Sequence, residues 1–434
     1  MFQRVALSKE ARLAQVSVSL AQVDWYCIPL CWESSQLTSK GRVQKSTERQ
    51  HIARIILAIW DVIVIGVGGV GSATAMHLAK TGVRTLGIDQ YHAAHDRGSS
   101  HGQTRIIRQA YFEHPCYVPL LQRAYELWDD LEQKSNKRLF HRTGLVELGP
   151  TDGVVIPGVQ SSAAAYDLPI EKLTSLDIHH RWPGIKGENH WEAIVELNAG
   201  FLKVEECVQT HLDLASRYGC KLVHNCSVRQ WSSDSREVKV VTDSGTEKAA
   251  KLVIAGGPWT RSLLPELSTK LQIFRKHQYW FQPENPGYRE QDGFPCFFHE
   301  TDRGFFYGFP CFNGKGVKIA RHSGGQPIDT PDPEAANSQI IDQHDRQLVL
   351  EYASKYLPGL GSQLTCSANC YYTSTPDENF VIDQLPGHQN VTVIAGLSGH
   401  GFKFVSALGE IASQLALDLT MPFDLAPFAI ERFE

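Results

Sequence analysis

The stretch GSSHGQTRIIR places three basic side chains, His101, Arg105 and Arg108, within eight residues. Arginines three apart can share one face of a helix. Together with His101 they predict a cationic pocket for a carboxylate or a phosphate, because guanidinium groups bind both through charge-assisted hydrogen bonds. The alternative is a solvated basic loop, but the two isoleucines between the arginines indicate a partly buried segment.

A second group of polar residues is predicted on a strand. In the run VKIARH, Lys318 and His322 are separated by an even number of positions, so both side chains point to the same side of a strand. Tyr307 precedes them in the run YGFP. The pair is a candidate for chemistry, although a solvent-exposed face is the more common outcome for such a pair.

A third candidate is the run GLSGHGFK, where a glycine-rich turn with Gly399 and Gly401 leads into a predicted helix. The N-terminus of a helix carries positive potential. Lys403 in the first turn is therefore unfavourable unless an anion binds beside it. Cys370, in the run CYYT, is predicted from the residues alone to be a buried thiol on a strand.

The element that positions these groups begins with an apolar strand, residues 62–65, followed by the run GVGGVG. In a dinucleotide-binding turn, Gly66 would allow the tight turn, Gly68 the approach of the pyrophosphate, and Gly71 the packing of helix on strand. Asp89, about 20 residues further on, is placed to accept hydrogen bonds from a ribose diol and to disfavour a 2′-phosphate. The pattern predicts FAD or NAD without separating them; the alternative is a plain buried turn.

The fold class predicted from these elements is α/β. A Rossmann-like nucleotide-binding domain is expected to be discontinuous, with a second α+β domain that is rich in strands and holds the substrate. The 434-residue chain is long enough for two such domains. The first is predicted over residues 59–137, 196–271 and 366–422, and the second over residues 138–195 and 272–365.

Composition excludes several classes of protein. The net charge is −5 with both signs mixed along the chain, which argues against a nucleic-acid-binding surface. No apolar run approaches the roughly 18 residues that suggest a membrane span. The ten cysteines form no CxxC pair or Cys/His cluster. Neither a metal site nor a disulfide framework is therefore predicted, and a reducing compartment is favoured.

Residues 1–58 differ from the remainder, with eight Lys or Arg against four Asp or Glu and no clear periodicity. A transit peptide is one interpretation, since the first stretch is basic and poor in acids. We favour a disordered extension that is dispensable for activity, because the fingerprint strand normally opens such a domain.

Five motifs together resemble the monomeric and peroxisomal sarcosine oxidase family, which includes L-pipecolate oxidases, within the D-amino-acid-oxidase-like flavoproteins. The motifs are GVGGVG, GSSHGQTRIIR, YGFP with KIARH, CYYTSTPDENFVID and GLSGHGFKF. The resemblance covers about residues 60–433 and implies FAD as the cofactor, attached covalently through Cys370. It implies an oxidase of small secondary amino acids, sarcosine or L-pipecolate, that yields an imine and hydrogen peroxide.

The same resemblance implies roles for individual residues. Arg108 and Lys403 would bind the substrate carboxylate, and Lys318 would serve oxygen reduction beside Arg105. His101, Tyr307 and His322 would line the amine pocket. Contacts with the cofactor are implied for Gly66, Val67, Gly68, Val70, Gly71, Asp89, Thr104, Arg105, Val228, Trp259, Cys370, Gly399, Gly401 and Lys403.

The expected partners are a small secondary amine and O₂, with neither nucleic acid nor membrane, and the resemblance implies a monomer. It also implies a peroxisome, whereas the chain ends in Arg432-Phe433-Glu434 and not in a targeting tripeptide, so the cytoplasm and mitochondria stay open. Two other functions stay open as well. One is a dehydrogenase that passes electrons to another protein, which Lys318 argues against, and the other is a non-catalytic nucleotide-binding scaffold.

Overall fold

A computed structural model describes residues 60–332 and 341–434, so the predicted N-terminal extension lies outside the described residues. Its strands are β1 (Trp60–Ile65), β2 (Thr85–Ile88), β3 (Thr104–Ile107), β4 (Phe140–His141), β5 (Leu145–Gly149), β6 (Glu171–Thr174), β7 (Glu192–Glu196), β8 (Gly200–Lys203), β9 (Lys221–Val223), β10 (Val228–Ser233), β11 (Val238–Thr242), β12 (Gly245–Ile254), β13 (Gln272–Pro283), β14 (Cys296–Thr301), β15 (Gly304–Phe309), β16 (Val317–Arg321), β17 (Gln326–Ile328), β18 (Leu360–Ser374), β19 (Val381–Leu385) and β20 (His388–Ala395). Its helices are α1 (Gly69–Lys80), α2 (Val118–Ser135), α3 (Val155–Tyr166), α4 (Ser175–Arg181), α5 (Val204–Arg217), α6 (Thr260–Leu263), α7 (Gln343–Tyr356) and α8 (Val405–Ala416).

The first sheet has a parallel centre in the order β20-β12-β1-β2-β9. Strand β19 pairs antiparallel with β20, and the β10-β11 hairpin continues from the first half of β12. In β1, Val62 and Val64 pack into one hydrophobic cluster and Ile63 and Ile65 into another. A strand covered on both faces reads as a continuous apolar run, which is why residues 62–65 could be identified from sequence.

The turn after β1 has the geometry that its glycines predict. Gly66 has a φ of +81°, and a Cβ there would lie 2.6 Å from the carbonyl oxygen of Ala255. A Cβ on Gly71 would lie 1.7 Å from the carbonyl oxygen of Gly66. Helix α1 can therefore pack closely against β1 only because both positions lack a side chain.

The second sheet has nine strands in the order β17-β13-β16-β15-β14-β5-β7-β6, with β18 paired to β13. A three-stranded antiparallel sheet, β3-β8-β4, carries the GSSHGQTRIIR segment. The predicted fold class is confirmed, since strands from three separate parts of the chain form the first sheet. The predicted boundary at residue 366 falls within β18, which runs unbroken to Ser374.

The predicted helical face shared by Arg105 and Arg108 is wrong. Residues 104–107 form β3, paired with β8, and Arg108 follows the end of this strand. The two β-branched isoleucines favour an extended backbone over a helix. The expectation of burial for this segment is confirmed at Ile107, which is fully buried.

In the part of the chain that the structure describes, no helix has the length and apolar character needed to cross a bilayer.

Candidate active site

A cavity of about 320 Å³ lies at the carboxyl ends of the parallel strands of the first sheet. This edge is where open α/β sheets bind their ligands. Lining residues follow the ends of β1, β2, β12 and β20, and others come from the loops around them. They include Gly66, Gly68, Gly69, Val70, Asp89, Ser99, Arg105, Val228, Gly256, Trp259, Tyr372, Gly399 and Gly401.

The wall of this cavity next to α1 fits a dinucleotide phosphate. Gly68 caps α1 without any side-chain cap, so the first turn of the helix keeps backbone donors for another partner. A Cβ on Gly68 would meet no atom within 4 Å, so this residue faces open space. Asp89 also lines the cavity, and its Oδ2 accepts a hydrogen bond of 2.9 Å from the backbone N–H of Val67. The carboxylate thus holds the turn in place while it faces the site.

A second, smaller cavity of about 40 Å³ adjoins the first. Arg105, Tyr372 and Gly399 line both cavities, which places the two side by side. The smaller cavity is also lined by Ile106, Arg108, Glu113, Phe298, Tyr307, His322, His400 and Lys403. Three cations, one carboxylate and an aromatic wall suit a ligand that has an anionic end and an apolar body.

Arg108 is buried and held by carboxylates. Its Nη2 donates to Glu113 Oε2 over 2.7 Å, and its Nε lies 3.4 Å from Glu147 Oε1. Its guanidinium also lies over the rings of Tyr111 and Phe112, at 4.8 and 4.5 Å from their centroids. Burial opposes ionisation, but the two carboxylates raise the pKa of Arg108 above its usual range, so this residue is a permanent cation.

Lys403 supplies the second cation. It lies in the 3₁₀ turn Phe402–Phe404 that precedes α8, and its Nζ donates to the carbonyl of His400 over 2.9 Å. Burial and the neighbouring Arg108 lower the pKa of Lys403 to about 7. An ammonium with one protein acceptor can form further bonds, since it has three donors. Lys403 is therefore ready to bind an anion that enters the cavity.

The Tyr111 ring lies beneath both cations, with its centroid 5.0 Å from Lys403 Nζ. Its hydroxyl is 2.5 Å from His400 Nδ1, while His400 Nε2 is 3.1 Å from the carbonyl oxygen of Glu378. A carbonyl can only accept, so Nε2 carries the proton and Nδ1 accepts from Tyr111. Burial lowers the pKa of His400 to about 4, which agrees with this neutral tautomer.

His322 and Tyr372 line the smaller cavity, and Tyr372 also lines the larger one. His322 Nδ1 lies 3.3 Å from the Tyr372 hydroxyl, and burial lowers the pKa of His322 to about 3. Lys276 fixes the turn that follows β16, because its Nζ donates to the carbonyls of His322, Ser323 and Gly324 over 2.8–2.9 Å. The histidine is therefore a neutral group on a rigid support.

Lys318 is buried, as is expected for a functional residue and not for a solvated face. Its Nζ donates to the Gly102 carbonyl over 2.6 Å and to the carbonyl and hydroxyl of Thr104 over 2.9 and 3.3 Å. Burial and the nearby Arg105 lower the pKa of Lys318, but three acceptors match the three donors of an ammonium. These contacts favour the charged form.

The predicted residues do not all line the cavities. Nine of the predicted cofactor contacts line the larger cavity: Gly66, Gly68, Val70, Asp89, Arg105, Val228, Trp259, Gly399 and Gly401. Tyr307, His322, Arg108 and Lys403 line the smaller one. Neither cavity is lined by His101, Thr104, Lys318, Val67, Gly71 or Cys370.

These six residues are all buried. Burial and the charge of Arg105 lower the pKa of His101 to about 3, so its ring is neutral. Cys370 is buried, as predicted, and its Sγ accepts a hydrogen bond of 2.9 Å from Gln278 Nε2. The oxygen of that amide, Gln278 Oε1, has no hydrogen-bond partner among the residues that the structure describes.

Several residues that line the smaller cavity or contact Arg108 were missed in the sequence. Glu113 and Tyr111 follow Arg108 closely in the chain, while His400 and Tyr372 lie inside motifs that drew attention to other residues. Glu147 offered a signal of its own, since it is an acid between the apolar residues of a buried strand. Such a residue is expected to face a charged partner.

Comparison with known proteins gives consistent matches. Residues 61–415 match the family described as DAO, FAD dependent oxidoreductase. N-methyl-L-tryptophan oxidase of Salmonella enteritidis PT4 is 40% identical over 375 residues, covering 86% of this chain and 99% of the relative. N-methyl-L-tryptophan oxidase of Escherichia coli O157:H7 is 39% identical over 377 residues, covering 86% and 100%.

Solved structures agree on the fold. NikD, an amino acid oxidase essential for nikkomycin biosynthesis, superposes with a TM-score of 0.75 at 25% identity and covers 85% of this chain and 97% of its own. The L-proline dehydrogenase from P. horikoshii gives a TM-score of 0.73 at 22% identity over 86% and 98% of the two chains, which supports the fold alone.

Proposed function

The chain belongs to the family of FAD-dependent oxidoreductases, and on that premise we propose that it is an oxidase of amino acids with a secondary amine. Its products would be an imine and hydrogen peroxide. The observation that carries this proposal is the pair of buried cations, Arg108 and Lys403, on the wall of a small cavity adjoining the cofactor cavity. The relatives named N-methyl-L-tryptophan oxidase support an N-methyl amino acid as the class of substrate.

The larger cavity has the parts needed to hold FAD. The N-terminus of α1 would bind the pyrophosphate, and Asp89 would accept from the ribose diol. The turn with Gly399 and Gly401, before α8, would supply positive potential beside the flavin ring. When bound, FAD would accept a hydride equivalent from the amine and pass the electrons to O₂.

Arg108 and Lys403 would fix the carboxylate of the substrate. A carboxylate entering the cavity would compete with Glu113 for Arg108. It would also accept hydrogen bonds from the N–H groups of Lys403 that do not bind the His400 carbonyl. Holding this end of the molecule orients the amine toward the larger cavity, which makes the transfer effectively unimolecular.

The same cations would favour the reactive form of the amine. An amine must be neutral to give up a hydride, and nearby positive charges lower the pKa of a bound ammonium. Arg105, Arg108 and Lys403 all line the small cavity. His322 and His400 are neutral, so they can accept hydrogen bonds without adding charge.

Sarcosine and L-pipecolate are the substrates that we propose to test first. The smaller cavity measures about 40 Å³, which suits an N-methyl group or a small ring better than an indole. Ile106, Phe298 and Tyr307 give it apolar walls. Displacement of Glu113 would enlarge it, so N-methyl-L-tryptophan belongs in the same set of candidates.

The test is an anaerobic titration of the purified protein with these amines and with glycine, followed by absorbance. We expect a flavin spectrum that bleaches with one or more of the secondary amino acids, and hydrogen peroxide when air is admitted. Bleaching without peroxide would identify a dehydrogenase. A colourless protein, or a flavin that no amine reduces, would refute the proposal.

We also propose that the FAD is attached covalently through Cys370. The buried thiol accepts a hydrogen bond from Gln278, whose side-chain oxygen has no partner among the described residues. That oxygen could accept a hydrogen bond from a group bound beside Cys370. Acid precipitation should leave the yellow colour in the protein pellet, and Cys370→Ala should release it to the supernatant. Wild-type protein that loses all of its flavin on precipitation contradicts the attachment.

A further inference from the structure

Glu147 lies on β5 in the second sheet, where every residue from Leu145 to Gly149 is buried. Its own side chain is 1% exposed, and within the described residues neither carboxylate oxygen has a hydrogen-bond partner. The same part of the chain offers no hydrogen-bond partner to the Nε of Arg108, which lies 3.4 Å from Glu147 Oε1. Two buried and complementary groups without hydrogen bonds therefore form an ion pair beside the small cavity, which Arg108 lines.

A buried carboxyl without a hydrogen bond is energetically costly, so a folded protein rarely keeps one without a use. The sequence around Glu147 is apolar and its cross-strand partners are Ile194 and Phe298, so packing alone would be served by a leucine. Arg108 is the residue that the Glu147 carboxyl would hold in place. Its terminal nitrogen now binds Glu113, which lines the cavity, while its Nε points toward Glu147.

We propose that Glu147 is a positioning residue for the carboxylate-binding arginine. It holds Arg108 from behind through Nε, so that the terminal nitrogens stay directed into the cavity when a ligand carboxylate displaces Glu113. This inference rests on the proposed function, because it assigns Arg108 to an anionic ligand.

The charges around Glu147 are consistent with this role. Arg108, Glu113 and Lys403 face it from the cavity side, and Glu196 of β7 faces it from the sheet. Burial raises the pKa of Glu147 to about 8, so near pH 7 it is mostly a neutral carboxyl whose oxygen can accept from Nε.

The pH dependence has a defined sign. Above about pH 8 Glu147 ionises and competes with the ligand for Arg108, so carboxylate affinity falls. Loss of the Lys403 proton above about pH 7 acts in the same direction. Glu147→Gln keeps an acceptor for Nε and removes only the first of these two effects.

The experiment measures acetate affinity on the holoenzyme, by perturbation of the flavin spectrum and by NMR line broadening of acetate, which needs no turnover. Glu147→Leu should weaken acetate and raise the KM for the amine by about tenfold, while the limiting rate of anaerobic flavin reduction changes less than about threefold. Glu147→Gln should bind acetate like the wild type at pH 6.5 and lose less affinity than the wild type between pH 7.5 and 9.5.

Two controls separate positioning from folding. Glu300→Gln, in the same sheet, removes charge from a carboxylate that caps α3 through the N–H groups of Val154 and Val155, and it should leave acetate affinity unchanged. In an Arg108→Met background, Glu147→Leu should have no further effect on acetate. Unchanged affinity in Glu147→Leu, or equal losses with and without Arg108, would overturn the inference.

If Glu147→Leu does not fold, the pH dependence of acetate affinity in Glu147→Gln is the deciding measurement. A pH dependence identical to that of the wild type overturns the inference. If no amine reduces the flavin, the proposed function fails, but the acetate affinities still test the role of Glu147.

Discussion

The two cavities are lined by different kinds of chemical groups. The wall of the larger one includes glycine turns and a helix N-terminus at the ends of parallel strands. The smaller one is formed by buried charged and aromatic side chains, with Arg108, Glu113 and Lys403 at its wall. Backbone sites tolerate little change in local geometry, whereas side-chain sites depend on the balance of charges. Substitutions in the two regions should therefore change different properties: stability and FAD binding in the first, and ligand affinity in the second.

The largest expected effect is at the backbone site. Gly71→Ala would bring a Cβ to 1.7 Å from the Gly66 carbonyl oxygen, so helix and strand must separate. We expect a loss of about 3 kcal/mol or more of the free energy of unfolding, together with loss of FAD. Thermal unfolding and flavin content measure both.

Gly68→Ala is the matched control, since its Cβ would meet no protein atom within 4 Å. It should keep the thermal stability of the apoprotein and still weaken FAD binding. Equal destabilisation by both substitutions would contradict the assignment of Gly68 to the pyrophosphate.

The next effect concerns oxygen and tests a residue behind both cavities. Burial lowers the pKa of Lys318, whereas its hydrogen bonds to Gly102 and Thr104 favour the ammonium form. An ammonium fixed there would stabilise the negative charge that O₂ acquires. In Lys318→Met we expect reoxidation of the flavin by O₂ to slow by orders of magnitude, with a modest change in its anaerobic reduction. Stopped-flow measurement of both half-reactions is the test. Equal slowing would assign Lys318 to structure, and unchanged reoxidation would remove it from oxygen chemistry.

A smaller effect is expected for the two cations of the side-chain site. Each forms a charge-assisted contact worth about 1.5–3 kcal/mol, so Arg108→Met or Lys403→Met should weaken substrate binding by about tenfold or more. FAD content should be unchanged, because neither residue lines the larger cavity. Loss of flavin in these variants would mean that the two regions are not separable.

The smallest effect is a pH dependence. The pKa of Lys403 is lowered to about 7 in the free enzyme, and a bound carboxylate would raise it. Carboxylate affinity should therefore fall as pH rises above 7, by up to tenfold per unit until the pKa of the complex is reached. In Lys403→Met, the fall in carboxylate affinity that starts near pH 7 should be absent. A wild-type profile that is flat from pH 6 to 9 would contradict a titrating lysine.

The contrast between the regions also explains what the sequence could predict. Gly66, Gly71 and the strand at residues 62–65 follow a local spacing, so the strand and the glycine turn after it were predicted close to where they are observed. The fold class followed from the same pattern. The predictions for residues 1–58 lie outside the described residues.

The smaller cavity could be predicted only in part. Arg108 and Lys403 were identified through motifs, but Glu147 contacts Arg108 from a distant strand, and Tyr111 and Glu113 lie in an irregular segment that follows β3. No local spacing encodes those contacts. The helix predicted for residues 105–108 failed for a related reason, because pairing of β3 with β8 overrides the spacing of the two arginines.

The central claim is that the substrate is held by its carboxylate between Arg108 and Lys403. Its most direct test compares sarcosine with sarcosine methyl ester in anaerobic reduction of the wild-type flavin and of the Arg108→Met flavin. We predict that the ester requires at least about tenfold higher concentration than the acid in the wild type, and that Arg108→Met reduces this preference. An ester that reduces the wild-type flavin as readily as the free acid would contradict the account.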